Sequence, residues 1–208
     1  VWMMLCEEGI DINTDEDLAT ALYYGLYKDT GNFDTLYQEK DLQLKETASF
    51  DYGLITRLKN ANISIEELET AGAALLRCEY NEQYRFAVVK VGRCDPNVLG
   101  LISDMVLEVD TIEVCVVFNL QPNGVKLSVR SCNEHIRASE LASKLCMGIG
   151  SGGGHDVKAG GFLQMGLLTK AYEAYCRKVD IKPRLEMDEL GVNERPTMSA
   201  IKSLLEYR

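Results

Sequence analysis

Residues 147–162 read Met-Gly-Ile-Gly-Ser-Gly-Gly-Gly-His-Asp-Val-Lys-Ala-Gly-Gly-Phe. Seven of the chain's 17 glycines fall between Gly148 and Gly161. Glycine gives up more backbone entropy on folding than any other residue, so this concentration needs a reason. One reason is a set of turns with positive φ. Another is a nest, in which successive backbone N–H groups close on an anion. His155 follows directly and can donate to a phosphate oxygen. A flexible glycine loop with an incidental histidine is the plainer reading of the same letters. Two familiar phosphate motifs fail on context. Gly148, Gly150 and Gly153 spell G-x-G-x-x-G, but a helix is predicted before them and a strand after, the reverse of the dinucleotide order. No Lys-Ser or Lys-Thr closes the run, as a P-loop requires.

Working outward, Arg137 to Cys146 reads as a helix with Ala138, Leu141, Ala142 and Leu145 on one face. Glu113 to Leu120 and Val125 to Ser131 read as strands. Between them Pro122-Asn123-Gly124 carries the Asn-Gly hairpin signal. Arg85 to Val91 is β-branched and strand-like, and Pro96 to Val109 is a short helix. After the glycine run come a strand from Gly161 to Leu167, a helix from Thr169 to Lys178, and a charged tail ending in a helix from Thr197 to Arg208.

Before Cys78 the texture is helical: Asp11 to Lys28, Lys40 to Arg57 and Ser64 to Leu76. Asp15, Glu16 and Asp17 suit the positive end of the first helix dipole. Ser64 and Glu67 match a capping box at the start of the third. Asp29 sits at the C-terminal end of the first helix, where a carboxylate needs a cation or donors for compensation. The fold class is therefore α/β: a helical piece over residues 1–77, a small mixed-sheet α/β domain over 78–178, and a tail over 179–208.

Hydrophobic residues make up 46% of the 208 and charged residues 26%, as in an ordinary globular protein. No apolar run is long enough to cross a membrane. The start, Val-Trp-Met-Met-Leu, has neither an initiator methionine nor a basic leader, and reads as cut from something longer. The seven scattered cysteines form no C-x-x-C pair, which argues against zinc and for reduced thiols in a cytoplasm. A formal net charge of −10 opposes long nucleic acid. Arg130 to Gly161 runs against that sign: Arg130, Arg137, Lys144 and Lys158 face Glu134, Glu140 and Asp156, and both histidines lie there.

Lys126-Leu-Ser-Val-Arg130-Ser131, an amphipathic helix and Gly-Gly-Gly-His-x-x-x-Ala-Gly-Gly-Phe together resemble the DHH-associated domain, the C-terminal half of the DHH phosphoesterases. That family includes RecJ-type exonucleases, oligoribonucleases, cyclic-dinucleotide phosphodiesterases and exopolyphosphatase-like proteins. Upstream, Leu18 to Asp29-Thr-Gly-Asn-Phe33 is similar to the family's last metal-ligand motif. The resemblance covers most of residues 1–175 and makes residues 1–77 the helical end of a truncated DHH domain. It implies Asp29 as a ligand to manganese and Arg130 as a phosphate-binding residue. Gly152, Gly153, Gly154 and His155 become a loop closing over substrate, with Ser131 and Lys158 as weaker members of the pocket. His135 reads as an exposed loop histidine.

Three departures qualify the match. The family's earlier metal motifs, including Asp-x-Asp and Asp-His-His, are not matched. Lys158 stands where the family has a small residue, and residues 34–80 follow its pattern poorly. One carboxylate cannot build a two-metal centre, so no complete catalytic set is expected here, and the chain alone is expected to hydrolyse little. The first functional expectation is the substrate-binding half of a phosphoesterase acting on short oligonucleotides, dinucleotides or polyphosphate. The alternative is a nucleotide- or RNA-binding module without catalysis, and a third is an unrelated α/β protein with a coincidental glycine loop. The expected partner is a small phosphorylated ligand, with no long DNA and no membrane, and with room left for a homodimer.

Overall fold

The computed structural model describes residues 1–36, 38–61, 63–187 and 194–206. It divides into two compact units, Val1–Ser64 and Ile65–Arg208. The boundary falls ahead of the expected one at residue 77.

The first unit is helical: α1 (Trp2–Glu7), a 3-10 turn (Ile12–Thr14), α2 (Glu16–Asp29), α3 (Glu39–Thr47) and α4 (Tyr52–Asn60). Asp15 caps α2 by accepting from the Leu18 N–H at 3.1 Å, and Glu16 and Asp17 lie in its first turn. A small core forms from Ile12, Ala19 and Leu44, with Trp2, Leu18, Leu22 and Leu26 against it. The helix expected over 40–57 is broken in two. At the break, side chains capture the backbone: Asn13 Oδ1 accepts from Ser49 N at 2.7 Å and Thr20 Oγ1 from Asp51 N at 2.9 Å. Asp51 in turn caps α4 through Leu54 N. These local bonds compete with helix continuation.

The second unit is a mixed α/β sandwich. It runs α5 (Ile65–Leu75), β1 (Glu79–Asn81), β2 (Phe86–Val91), α6 (Pro96–Leu107), β3 (Val114–Gln121), β4 (Gly124–Ser131), α7 (Ala138–Cys146), β5 (Gly150–Gly154), β6 (Lys158–Gln164), α8 (Met165–Lys178), β7 (Glu186–Met187), β8 (Glu194–Arg195) and α9 (Thr197–Glu206). The main sheet has the order β1-β2-β3-β4-β6-β5. Only β2 and β3 are parallel, and α6 makes the crossover that a parallel pair requires. Val114 to Leu120 are all buried, which explains why β3 reads as a continuous apolar run.

Alternation sends each strand's side chains to two faces. Val88, Val116, Phe118, Leu127 and Val129 pack with Leu141, Leu145, Leu168 and Ile201 of α7, α8 and α9. Ala87, Val89, Cys115 and Val117 pack with Ala71 and Ala74 of α5 and Val98, Leu99 and Ile102 of α6. Thus α5 belongs to the second unit, and α9 contributes Met198, Ala200 and Ile201 to its core rather than ending a loose tail.

Several boundaries shift. The β3–β4 hairpin forms, but Gln121 pairs with Gly124, so its loop is Pro122-Asn123 rather than Asn123-Gly124. β6 and α8 begin earlier than the sequence suggested. The largest correction concerns the glycine run. Gly150 to Gly154 is an edge strand paired antiparallel with β6, not a loop. Within the run only Gly148 and Gly154 have positive φ. Residues 207 and 208 of the expected terminal helix lie outside the described residues.

Candidate functional site

Arg130 lies near the end of β4, on the α6 side of the sheet. Its side chain is only 13% exposed. Nε donates to Asp104 Oδ1 at 2.6 Å, and Nη1 to Ser128 Oγ at 3.1 Å and the Val129 carbonyl at 3.2 Å. Ser128 is itself fixed by Ser103 Oγ of α6 at 2.9 Å. A Cβ on Gly100 would come within 3.1 Å of Arg130 Nη2, so α6 presents a small residue where the guanidinium passes. Lys158, opposite Arg130 in the β4–β6 register, places Nζ 3.4 Å from the other Asp104 oxygen. The result is a cation–carboxylate–cation triad carrying one net positive charge.

α6 lies over β3 and β4. On that face the outer strands offer Lys158, Gly160, Phe162, Ser151 and Gly153, none of them buried. A Cβ at Gly153 would meet nothing within 4 Å. The opposite face is closed. A Cβ at Gly152 would stand 2.5 Å from the Ala142 carbonyl and 2.7 Å from Cys146 Sγ, and one at Gly161 2.6 Å from the same sulfur. Gly152 and Gly161 are therefore glycine because α7 packs directly on the strands there.

The β5 backbone adds donors. His155 N donates to the Lys158 carbonyl at 2.8 Å, and Gln164 N to the Ile149 carbonyl at 2.8 Å. With those two pairs bonded, antiparallel alternation makes Ser151 and Gly153 bond to β6. It turns the N–H and C=O groups of Gly150, Gly152 and Gly154 toward the open edge. An anion can take these N–H groups in place of water. His155 is exposed in the β5–β6 turn, across from Lys158.

Arg130, Lys158, Gly153 and His155 thus gather on one open face and its edge. Ser131 does not join them. It is buried on the α7 side, with Oγ donating to the Ile136 carbonyl and accepting from Asn133 N. His135 is exposed in the same turn, whose backbone Asn133 Oδ1 fixes through His135 N. Asp104, which sequence reasoning missed, is the hub of the cluster. Beneath it, burial above all pushes the Cys115 thiol up; Arg130 pulls it down and Asp104 pushes it up.

In the first unit, Asp29 is exposed at the end of α2. Three left-handed residues follow: Gly31, Asn32 and Phe33, with φ of 59°, 65° and 73°. For the two that are not glycine this conformation costs about 1–2 kcal/mol each. Thr30 holds it. Its Oγ1 donates to the Leu26 carbonyl at 2.6 Å and accepts from Phe33 N at 3.2 Å, while Thr35 N and Oγ1 both donate to its carbonyl at 3.0 Å. The Phe33 ring meets Tyr23 and Tyr27 edge-on at 5.3 Å. Local strain fixed this firmly marks a shaped loop. The letters Asp15-x-Asp17 do occur upstream, but Asp15 serves as the α2 cap. Among the described residues no group of three His, Cys, Asp or Glu side chains could hold a metal. By themselves these residues do not make a manganese centre.

A family model described as the DHHA1 domain matches residues 83–179. An uncharacterised protein of Methanocaldococcus jannaschii is 24% identical over 191 residues, covering 89% of this chain and 39% of that protein. Among solved structures, an exopolyphosphatase-related protein from Bacteroides fragilis superposes with a TM-score of 0.65 at 16% identity, over 99% of this chain and 54% of that one. RecJ of Thermus thermophilus in complex with Mg2+ gives 0.41 at 21% identity, over 76% of this chain and 24% of that one. The chain thus spans well under two thirds of these relatives. No helix among the described residues is long and apolar enough to cross a membrane.

Proposed function

We propose that this chain, whose residues 83–179 match the DHHA1 domain, belongs to the DHH family and supplies the substrate-binding half of a metal-dependent phosphoesterase. Its ligand is a small phosphorylated molecule: a short oligonucleotide, a dinucleotide or polyphosphate. The observation that carries this reading is the Arg130–Asp104–Lys158 triad, set on an open sheet face beside a glycine edge strand with outward N–H groups. Arg130 offers phosphate its charge and its Nη2 donors, with Nε and Nη1 held by Asp104, Ser128 and the Val129 carbonyl. Lys158 adds a flexible point charge. Gly152 and Gly154 donate backbone N–H groups at the edge. Gly153, lacking a Cβ on the open face, lets the ligand approach, and His155 donates from the turn.

Asp29, presented by its strained loop, is one carboxylate for a divalent metal, with manganese the expected ion. The second reading, a nucleotide-binding module without catalysis, draws on the lack of any three-ligand group among the described residues. With manganese the 208-residue chain alone should release little nucleotide from pApA under either reading; the same assay on a protein that also holds the remaining metal ligands separates the two, since only the first predicts release there.

The decisive test is calorimetric titration of the chain with pApA, comparing wild type, Arg130→Ala and His155→Ala. Losing one charge-assisted phosphate contact costs about 1.5–3 kcal/mol, so Arg130→Ala should weaken binding about tenfold to a hundredfold. Equal binding by all three proteins rejects the site.

A further inference from the structure

Asp104 poses a question that phosphate binding leaves unanswered. A carboxylate between two phosphate-binding cations opposes the ligand they are meant to attract. It is no remnant of core packing, since its side chain is 47% exposed. It also sits in the last turn of α6, where the helix dipole disfavours negative charge. Arg130 Nε at 2.6 Å and Lys158 Nζ at 3.4 Å each hold one of its two oxygens. Each oxygen keeps acceptor capacity beyond its one cation. An ionised carboxylate accepts hydrogen bonds and repels anions.

Resting on the phosphate-site reading above, we propose that Asp104 is the specificity residue of that site. It accepts hydrogen bonds from the sugar hydroxyls of a nucleotide and excludes polyphosphate chains. The charge balance supports this. Arg130 and Lys158 supply two positive charges and Asp104 removes one, leaving a net charge suited to a single terminal phosphate. A polyphosphate carries a negative charge on every unit, so its next phosphate meets the carboxylate. A nucleotide places hydroxyl donors one sugar away from its phosphate, a neutral neighbour that a carboxylate welcomes. Arg130, fixed by Ser128 and the Val129 carbonyl as well, stays in position without Asp104. The carboxylate is therefore not needed merely to hold the guanidinium.

The test is titration of the full 208-residue chain with pApA and with inorganic tripolyphosphate, using wild type, Asp104→Asn and Arg130→Ala. Wild type is expected to prefer pApA. Asp104→Asn should weaken pApA and strengthen tripolyphosphate, changing the preference ratio by about tenfold or more, the scale of one charged hydrogen bond. Thermal unfolding of Asp104→Asn checks that the fold persists, and Asp104→Glu should keep the wild-type preference in part. An unchanged ratio in Asp104→Asn, with Arg130→Ala weakening both ligands, overturns the role of Asp104 and leaves the phosphate site standing. Equal binding of both ligands by Arg130→Ala and wild type overturns the site and this inference together.

Discussion

Two adjacent glycines of β5 make opposite demands, and replacing each by alanine separates packing from ligand access. At Gly152 the new Cβ would lie 2.5 Å from the Ala142 carbonyl, whereas ordinary contact begins at 3.4 Å. The helix backbone must retreat by about 0.9 Å (3.4 minus 2.5), or β5 must leave it. Neither movement is the swing of a flexible side-chain end, so a typical overpacking cost of about 2 kcal/mol applies. For a protein of this length that lowers the melting temperature by roughly 4–8 °C. At Gly153 the new Cβ meets nothing and φ is not left-handed, so stability should hold or rise by up to about 1 kcal/mol. The same methyl stands on the open face and should weaken pApA binding. Because two units need not melt together, calorimetric melting should be paired with the labelling rate of Cys146, whose sulfur lies beside Gly152. Gly152→Ala should expose Cys146 faster, and Gly153→Ala should not. If both variants melt and label like wild type, the close approach of α7 to β5 is wrong.

Glu186 ties α9 to the rest of the second unit: its carboxylate accepts from Met198 N, Ser199 N and Thr197 Oγ1 and faces Lys90 Nζ at 3.4 Å. Glu186→Ala should destabilise by about 1–2 kcal/mol, and amide exchange over 197–206 should accelerate. A thiol reagent at neutral pH should modify exposed Cys6 and Cys132 first and reach buried Cys115, Cys146 and Cys176 only on unfolding, as peptide mapping can establish. Burial, foremost, raises the Cys146 thiol above its ordinary 9.0, with a backbone hydrogen bond from Phe162 opposing it, and raises Cys115 likewise. A raised folded value means stability is complete below about pH 9 and is lost as pH climbs through the raised values. The melting temperature should therefore stay level in this respect from pH 7 to 9 and fall beyond, less steeply once Cys146 is replaced by alanine.

The core was legible because its periodicities are local. Val114 to Leu120 is continuously apolar since helices cover both faces, and Ala138, Leu141, Ala142 and Leu145 fall at helical spacing on α7. Asp104 was not legible. Its partner Arg130 is 26 residues away, and nothing in the helix around it distinguishes it from a solvated surface acid. Ser131 shows a different limit. It adjoins Arg130 in sequence, and adjacency suggested a shared pocket. Neighbours in a strand face opposite sides, so once β4 is accepted as a strand the two must part.

The glycine run combines two demands that one letter cannot distinguish. Gly152 and Gly161 answer to the closeness of α7, and Gly153 to open space on the other face. A loop was the natural expectation for so many glycines, yet most of them are extended and lie in the paired strands β5 and β6. The two ends of the sheet then explain each other. At β1 the edge is guarded: Lys202 of α9 reaches Glu79 at 2.6 Å, and Asn81 reaches Glu206 at 3.2 Å. β5 itself carries no charged side chain, although an unguarded edge invites unwanted strand pairing. Side chains there would block both α7 on one face and a ligand on the other. On the proposed reading, the bare edge is the consequence of serving packing and binding with the same five residues, and the proposed phosphate site lies at the end of the sheet where the backbone itself can donate.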